Sequence, residues 1–154
     1  MEKKENKKIK NAQPLEYRGI KFKSQLEKMT YITLKESGLP AQYEPKKFIL
    51  WEGFRPTVPF YNKDKVTRGL KLEKKKLLPL TYTPDFVFDY AGHLIVIEAK
   101  GLENDTFPIK KKLFRAWLEK NCPKSIYFEV YTKKQVLQAI DIIKSLKSTR
   151  NGHS

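Results

Sequence analysis

The feature that most constrains this chain is a pair of apolar runs separated by a short polar turn. The first run covers residues 83–88, the turn lies between Asp89 and Gly92, and the second run covers residues 94–101. Two such runs joined in this way predict a β-hairpin. Apolar side chains occupy both alternating faces of the second run, which predicts a strand that is buried on both sides and central in its sheet.

The second of these strands ends in charged residues. Alternation places Glu98 and Lys100 on the same face, and Asp85 lies at the start of the partner strand. A charge that is buried without a partner costs much free energy. Charged groups at the end of an apolar strand therefore need either a partner or a function. We take Asp85, Glu98 and Lys100 as a candidate active site.

Composition limits the class of protein. The chain has 154 residues, enough for one domain with a sizeable core. Its 32 basic and 17 acidic residues give a formal net charge of +15, which favours a polyanionic partner, nucleic acid rather than a membrane surface. The single cysteine, Cys122, excludes a disulfide framework within one chain and a cysteine-based zinc site. With neither a secretion signal nor a membrane-spanning apolar run, we expect a cytoplasmic protein.

Charge and turn residues divide the chain into three parts. Residues 1–16 form a lysine-rich tail that we expect to be disordered, residues 17–148 form a single domain, and residues 149–154 form a frayed end. Within the domain, we interpret residues 52–80 as a basic, partly ordered insertion that forms an irregular hairpin. Solvated loop and DNA-contact loop are equally good interpretations of it. Its candidate DNA contacts are Lys63, Lys65, Arg68, Lys71, Lys74, Lys75 and Lys76.

The other elements complete an α/β domain with a small mixed β-sheet flanked by helices. Ser24 and Glu27 have the spacing of a capping box that begins a helix, and Gly38 ends that helix after Ser37. We predict a strand ending at Trp51, a helix over 108–121, a strand over 126–131 and a helix over 133–148 capped by Thr132. The last strand can join the central one in parallel through a right-handed crossover.

Two predicted helices carry apolar stripes and one carries a cluster of cations. The stripes are Leu113, Phe114, Trp117 and Leu118 on the first of them, and Val136, Leu137, Ile140, Ile143 and Leu146 on the second. Cations near a helix N-terminus oppose the helix dipole, which indicates that an anion approaches there or that this face is simply solvated. The cations are Lys110, Lys111, Lys112 and Arg115, and we include them among the candidate DNA contacts.

The charged trio suits phosphodiester hydrolysis. This reaction uses a divalent cation that polarises the phosphate and lowers the pKa of a water molecule. Magnesium prefers oxygen ligands and is typically held by one or two carboxylates, with water and substrate phosphate completing its shell. Asp85 and Glu98 supply carboxylates, and Lys100 can stabilise developing charge. The alternative for Lys100 is an ion pair with Glu98 or Asp85.

The same residues carry a family resemblance. Pro84-Asp85 followed by Glu98-Ala99-Lys100 resembles the active-site signature of the PD-(D/E)xK nuclease superfamily. Residues 22–27, 43–44, 81–86 and 98–102 together resemble the phage endonuclease I family of Holliday-junction resolvases, a similarity that spans about residues 22–120. The order and approximate spacing of these four stretches agree. Residues 52–80 exceed the short connection of the phage enzymes, and their basic C-terminal extension has no clear counterpart.

This resemblance implies a restriction-endonuclease-like core and a homodimer that cuts branched DNA with Mg²⁺ or Mn²⁺ in a phage-infected or prokaryotic cell. It also implies that Glu27, Asp85, Glu98 and Lys100 are catalytic. We expect Asp85 and Glu98 to bind the metal together with the backbone carbonyl of Ala99, and Glu27 to assist a second metal or a water. Glu27 can also be explained as a capping residue, and the two roles are compatible.

Two further classes of function fit the sequence. A transposon-end or restriction-type endonuclease would use the same four residues on another substrate and with a protein partner. A non-catalytic DNA-binding module would bind DNA in a salt-dependent way without metal-dependent cutting.

Overall fold

A computed structural model of the chain describes residues 15–101 and 106–147. The helices are α1 (Gln25–Glu36), α2 (Phe107–Asn121) and α3 (Lys133–Ser145). The strands are β1 (Glu16–Tyr17), β2 (Ile20–Lys21), β3 (Phe48–Trp51), β4 (Tyr61–Lys63), β5 (Leu70–Leu72), β6 (Leu80–Tyr82), β7 (Phe86–Tyr90), β8 (His93–Ala99) and β9 (Ser125–Val130). The predicted tail and the predicted frayed end fall almost wholly outside the described residues. None of the helices described is long and apolar enough to cross a membrane.

The central sheet has the order β7-β8-β9. β7 and β8 form the predicted antiparallel hairpin, in which Phe86 pairs with Ile97, and β9 is parallel to β8, as predicted for a crossover through α2. The turn is shorter than predicted. It consists of Ala91 and Gly92, both with positive φ (49° and 79°), which is the two-residue turn that matches strand twist. Asp89 therefore lies in β7, and His93 begins β8.

β8 is buried on both faces because a different layer covers each one. Ile95 and Ile97 pack with α1 and α3, whereas Val96 packs with α2, β3 and β6. Glu98 follows Val96 by two positions and so belongs to the second face. The predicted α/β class and the central position of this strand are confirmed.

The ends of α1 follow the predicted chemistry with one difference. The Ser24 hydroxyl accepts a hydrogen bond from the Glu27 amide (3.1 Å), and Gly38 (φ 80°) follows the last turn. There the amide of Leu39 bonds the carbonyl of Leu34, and that of Gly38 bonds the carbonyl of Lys35, a Schellman motif. The Glu27 carboxylate, however, accepts from the Lys23 amide (3.3 Å), so the reciprocal half of the capping box is absent from the bonds described for it.

The apolar stripes of α2 and α3 are shifted relative to the prediction. Leu113 and Leu137 were expected in the core, but each is exposed by more than a third. Phe107 and Ala139 are buried instead. Leu113 precedes Phe114 by one residue and Leu137 follows Val136, so each is turned about 100° around the helix from a buried neighbour. α3 begins after the Thr132 cap as predicted and ends at Ser145, earlier than predicted.

Residues 52–79, called the arm below, leave the body between β3 and β6. These two strands pair with each other (Phe48 with Tyr82, Ile49 with Thr81), a pairing that the sequence did not reveal. Farther out, Phe54 bridges to Leu77, and β4 and β5 form an antiparallel hairpin. The predicted irregular hairpin is therefore correct, and the arm is a two-stranded ribbon. The short pair of β1 and β2 was also missed.

Candidate active site

Asp85 and Glu98 meet where the hairpin ends. Because Phe86 pairs with Ile97, the chain places Asp85 opposite Glu98. The Asp85 amide lies 3.3 Å from Oε2 of Glu98, and the Ala99 amide donates to Oδ2 of Asp85 at 2.8 Å. Both carboxylates are buried. The sequence prediction that the hairpin brings these two residues together is confirmed.

Lys100 lies beside the same pair. Its Nζ is 3.6 Å from Oε1 of Glu98 and 3.5 Å from the centroid of the Phe107 ring. The ring face attracts the ammonium group, and the lysine side chain is only 12% exposed. The ion pair that sequence analysis offered as an alternative role is present. The same ion pair holds the ammonium group beside the carboxylates. A cation in this position can stabilise negative charge that develops during a reaction.

The electrostatics of the site favour an added positive charge. Burial, followed by the negative charges of Glu98 and Glu27, raises the pKa of Asp85 from 3.8 to about 8, against the opposing effect of the Ala99 amide. Burial also raises the pKa of Glu98, although the Tyr82 hydroxyl and Lys100 favour its ionised form. Two carboxylates thus face one lysine in a poorly hydrated place. A proton or a metal ion relieves their repulsion.

Two tyrosines that sequence analysis did not assign to the site hold Glu98 in place. The Tyr82 hydroxyl donates to Oε2 of Glu98 at 2.7 Å and lies 3.0 Å from the Tyr127 hydroxyl. Burial raises the pKa of both phenols, so they remain protonated. Tyr82 stood inside one of the stretches that carry the family resemblance. Its role could not be assigned because β6 was not predicted.

Glu27 lies near the pair but has other partners. It is buried on α1, where it accepts hydrogen bonds from the Tyr43 hydroxyl and the Lys23 amide. Its charge contributes to the raised pKa of Asp85, which places it in the electrostatic range of the site. The bonds described for Glu27 do not run to Asp85 or Glu98. Its role as a metal or water ligand stays a prediction.

Glu44 braces the site from outside. Its carboxylate pairs with Nζ of Lys23 at 2.8 Å, and its amide donates to the Asp85 carbonyl at 2.7 Å. The pairing with Glu44 raises the pKa of Lys23. A proline favours an extended backbone at the residue before it, but Glu44, which precedes Pro45, has a positive φ of 47°.

The donor set fits a hard divalent cation. Asp85 and Glu98 offer carboxylate oxygens, and the Ala99 carbonyl belongs to the same strand end. Within residues 15–101 and 106–147, no three acidic, histidine or cysteine side chains are grouped closely enough to hold a metal. Two carboxylates with water and substrate phosphate are nevertheless the usual environment of Mg²⁺. Because the two carboxylates repel each other, binding of a cation beside them is electrostatically favoured.

The candidate DNA contacts occupy two places. The seven in the arm are exposed; Lys71 lies 3.8 Å from Asp64. On α2, Lys112 and Arg115 are exposed, whereas Lys110 and Lys111 are half-buried. Lys111 pairs with Glu129 at 2.8 Å, so its charge is partly neutralised within the protein.

Comparison with known proteins identifies the family of this chain, but the description of that family names no function. A family model described as "Protein of unknown function (DUF1064)" matches residues 6–149, a range that includes the arm and all four candidate catalytic residues. No curated protein matches the chain. No solved structure matches it either.

Proposed function

The chain belongs to the DUF1064 family, and we propose that it is a metal-dependent endonuclease that hydrolyses phosphodiester bonds in DNA. The observation that carries the proposal is the meeting of Asp85, Glu98 and Lys100 at one end of the central hairpin. The net charge of +15 supports a nucleic acid as the substrate.

Each residue has a role that follows from its position. A bound Mg²⁺ or Mn²⁺ supplies a Lewis acid and a water of lowered pKa. Asp85 and Glu98 hold it through carboxylate oxygens, with the Ala99 carbonyl beside them. Lys100 stabilises negative charge that develops on the phosphate or on the attacking water. Glu27, close to Asp85, orients a water or contacts a second ion.

The order of elements supports a restriction-endonuclease-like core. A helix (α1) precedes an antiparallel hairpin (β7, β8), and a crossover helix (α2) leads to a parallel strand (β9). With the resemblance to the PD-(D/E)xK superfamily, we propose a homodimer acting on branched DNA in a prokaryotic or phage-infected cell. Cutting confined to transposon ends or restriction sites, with a recruiting protein, is the alternative substrate class for this site.

The test is cleavage of matched DNA substrates. The wild-type protein with Mg²⁺ is incubated with a four-way junction, a linear duplex and single-stranded DNA of the same sequences. We expect paired symmetric nicks at the junction and none in excess chelator. Equal cutting of the linear duplex would overturn the preference for branched DNA.

Variants separate catalysis from binding. Asp85→Ala and Lys100→Ala are expected to abolish cleavage while DNA binding survives. The matched controls are Asp89→Ala, which removes an exposed carboxylate of β7, and Lys144→Ala, which removes an exposed lysine of α3. Full cleavage activity of Asp85→Ala, or of wild type in excess chelator, would refute the proposed metal-dependent active site. Binding without any metal-dependent cutting would identify a DNA-binding module.

A further inference from the structure

The arm is a ribbon held together by its own backbone. Phe54 and Leu77 exchange two backbone hydrogen bonds (3.1 and 2.8 Å), and the Glu73 amide bonds the Phe60 carbonyl at 2.8 Å. Farther out, Tyr61 pairs with Leu72 and Lys63 with Leu70. A strand rises about 3.3 Å per residue, so residues 52–63 reach at most about 40 Å from the body. The ribbon begins beside the active site, because Tyr82 of β6 bonds Glu98.

The surface of this ribbon is apolar without being covered. Every residue of β4 and β5 is exposed, and the aromatic residues Phe54, Phe60 and Tyr61 are between 53% and 58% exposed. An isolated two-stranded hairpin is marginally stable in water. Large apolar side chains that are exposed together on one element are a mark of an interaction site.

Charge decides which partner fits. Residues 52–79 contain eight basic and three acidic residues, a formal net charge of +5, with Arg55 added to the seven cations named above. Two copies of this surface would bring like charges together, and the rest of the protein is also basic. A polyanion is attracted to it instead.

Each face of the ribbon carries one aromatic ring and a cation. Tyr61 and Lys63 share one face, and Phe60 belongs with Asn62 and its partner Lys71 on the other. Ring and cation are thus about two residues apart, roughly 7 Å, on the Tyr61 face. Aromatic rings that stack on bases, interleaved with cations that contact phosphates, are typical of single-strand binding. A paired duplex hides its base faces within the stack and offers these rings little.

We propose that the arm binds unpaired DNA, with Phe60 and Tyr61 stacking on bases at opposite faces of the ribbon and its lysines contacting phosphates. The choice of DNA as the polymer rests on the proposed function. The ribbon starts near the active site. Its binding surface therefore favours substrates in which single strands adjoin the cleaved bond.

The test measures binding in chelator, so that cleavage plays no part. The anisotropy of a labelled oligothymidine is compared with that of a labelled duplex of equal length, using the full chain. Phe60→Ala combined with Tyr61→Ala is expected to weaken single-strand binding about tenfold or more and duplex binding less than twofold. The matched control is Leu137→Ala with Ile142→Ala, two exposed apolar residues of α3. Thermal melting confirms that each variant is folded.

The outcomes separate the two proposals. An equal loss of affinity for single strand and duplex, or no loss of affinity for either, would overturn the proposal that the arm stacks on unpaired bases. So would a ring-dependent self-association in sedimentation without a change in DNA affinity, which would assign the surface to a second copy. Single-strand binding that depends on the two rings, without cleavage in Mg²⁺, would support the proposed role of the arm and refute the proposed nuclease activity. Cleavage in Mg²⁺ together with single-strand binding that does not depend on the rings would support the nuclease activity and refute the proposed role of the arm.

Discussion

Replacing Asp85 by asparagine is expected to stabilise the protein at high pH. The folded protein raises the pKa of Asp85 from 3.8 to about 8. Between these values the folded state binds more protons than the unfolded state, so the free energy of unfolding falls as pH rises through this window. At 1.36 kcal/mol per pH unit the full effect is about 6 kcal/mol. Asparagine avoids this penalty because it carries no charge, and its carbonyl can still accept from the Ala99 amide.

We expect Asp85→Asn to raise the free energy of unfolding by about 2–4 kcal/mol at pH 9, since Glu98 shares the repulsion and solvent screens part of it. At pH 4 the two proteins should differ by less than about 1 kcal/mol. The assay is urea unfolding from pH 4 to 9 in chelator. Asp89→Asn, which removes an exposed carboxylate near the far end of β7, is the control and should show no such trend. An Asp85→Asn protein that is no more stable than wild type at pH 9 would refute the reasoning.

Two other predictions concern the support of the site and the core beneath it. Tyr82→Phe removes the hydroxyl that donates to Glu98, and Mg²⁺ affinity measured by calorimetry should fall about tenfold, as expected for a group that orients a ligand; unchanged affinity would mean that the hydrogen bond is only structural. Phe114→Ala should lower the free energy of unfolding by about 3–5 kcal/mol, since this fully buried ring packs between α2 and the sheet. Leu113→Ala, the exposed neighbour, should change it by less than about 1 kcal/mol in the same urea titration, and similar losses for the two variants would contradict the assignment of the helix face.

The central hairpin could be predicted because its signals are local. Alternation and two turn residues determine β7 and β8, and their pairing then brings Asp85 to Glu98. The helix caps at Ser24 and Thr132 are local as well. β6 was missed because it has three residues and pairs with β3, about thirty positions earlier. No short window of sequence contains that pairing.

Missing β6 also hid the support of the site. Tyr82 reaches Glu98 only because β6 folds back beside β3 and packs on α2. Glu27 illustrates the opposite case. Its capping position is visible in the sequence, but the Tyr43 hydroxyl that engages its carboxylate comes from a segment sixteen residues away. Which partner a buried carboxylate takes depends on tertiary packing that spacing along the chain does not reveal.

The buried carboxylates are themselves an argument for function. A core of this composition would be more stable with apolar residues in place of Asp85 and Glu98, because burial raises the pKa of both and their repulsion opposes folding. The surrounding groups reduce this penalty without removing it: Tyr82 and the Asp85 amide bond Glu98, and Lys100 faces it. Perturbed carboxylates that remain unneutralised by the protein are typical of sites that bind a cation. The same feature that lowers stability at neutral pH therefore favours metal binding there. Added Mg²⁺ should raise the stability of wild type at pH 8 but not that of Asp85→Asn.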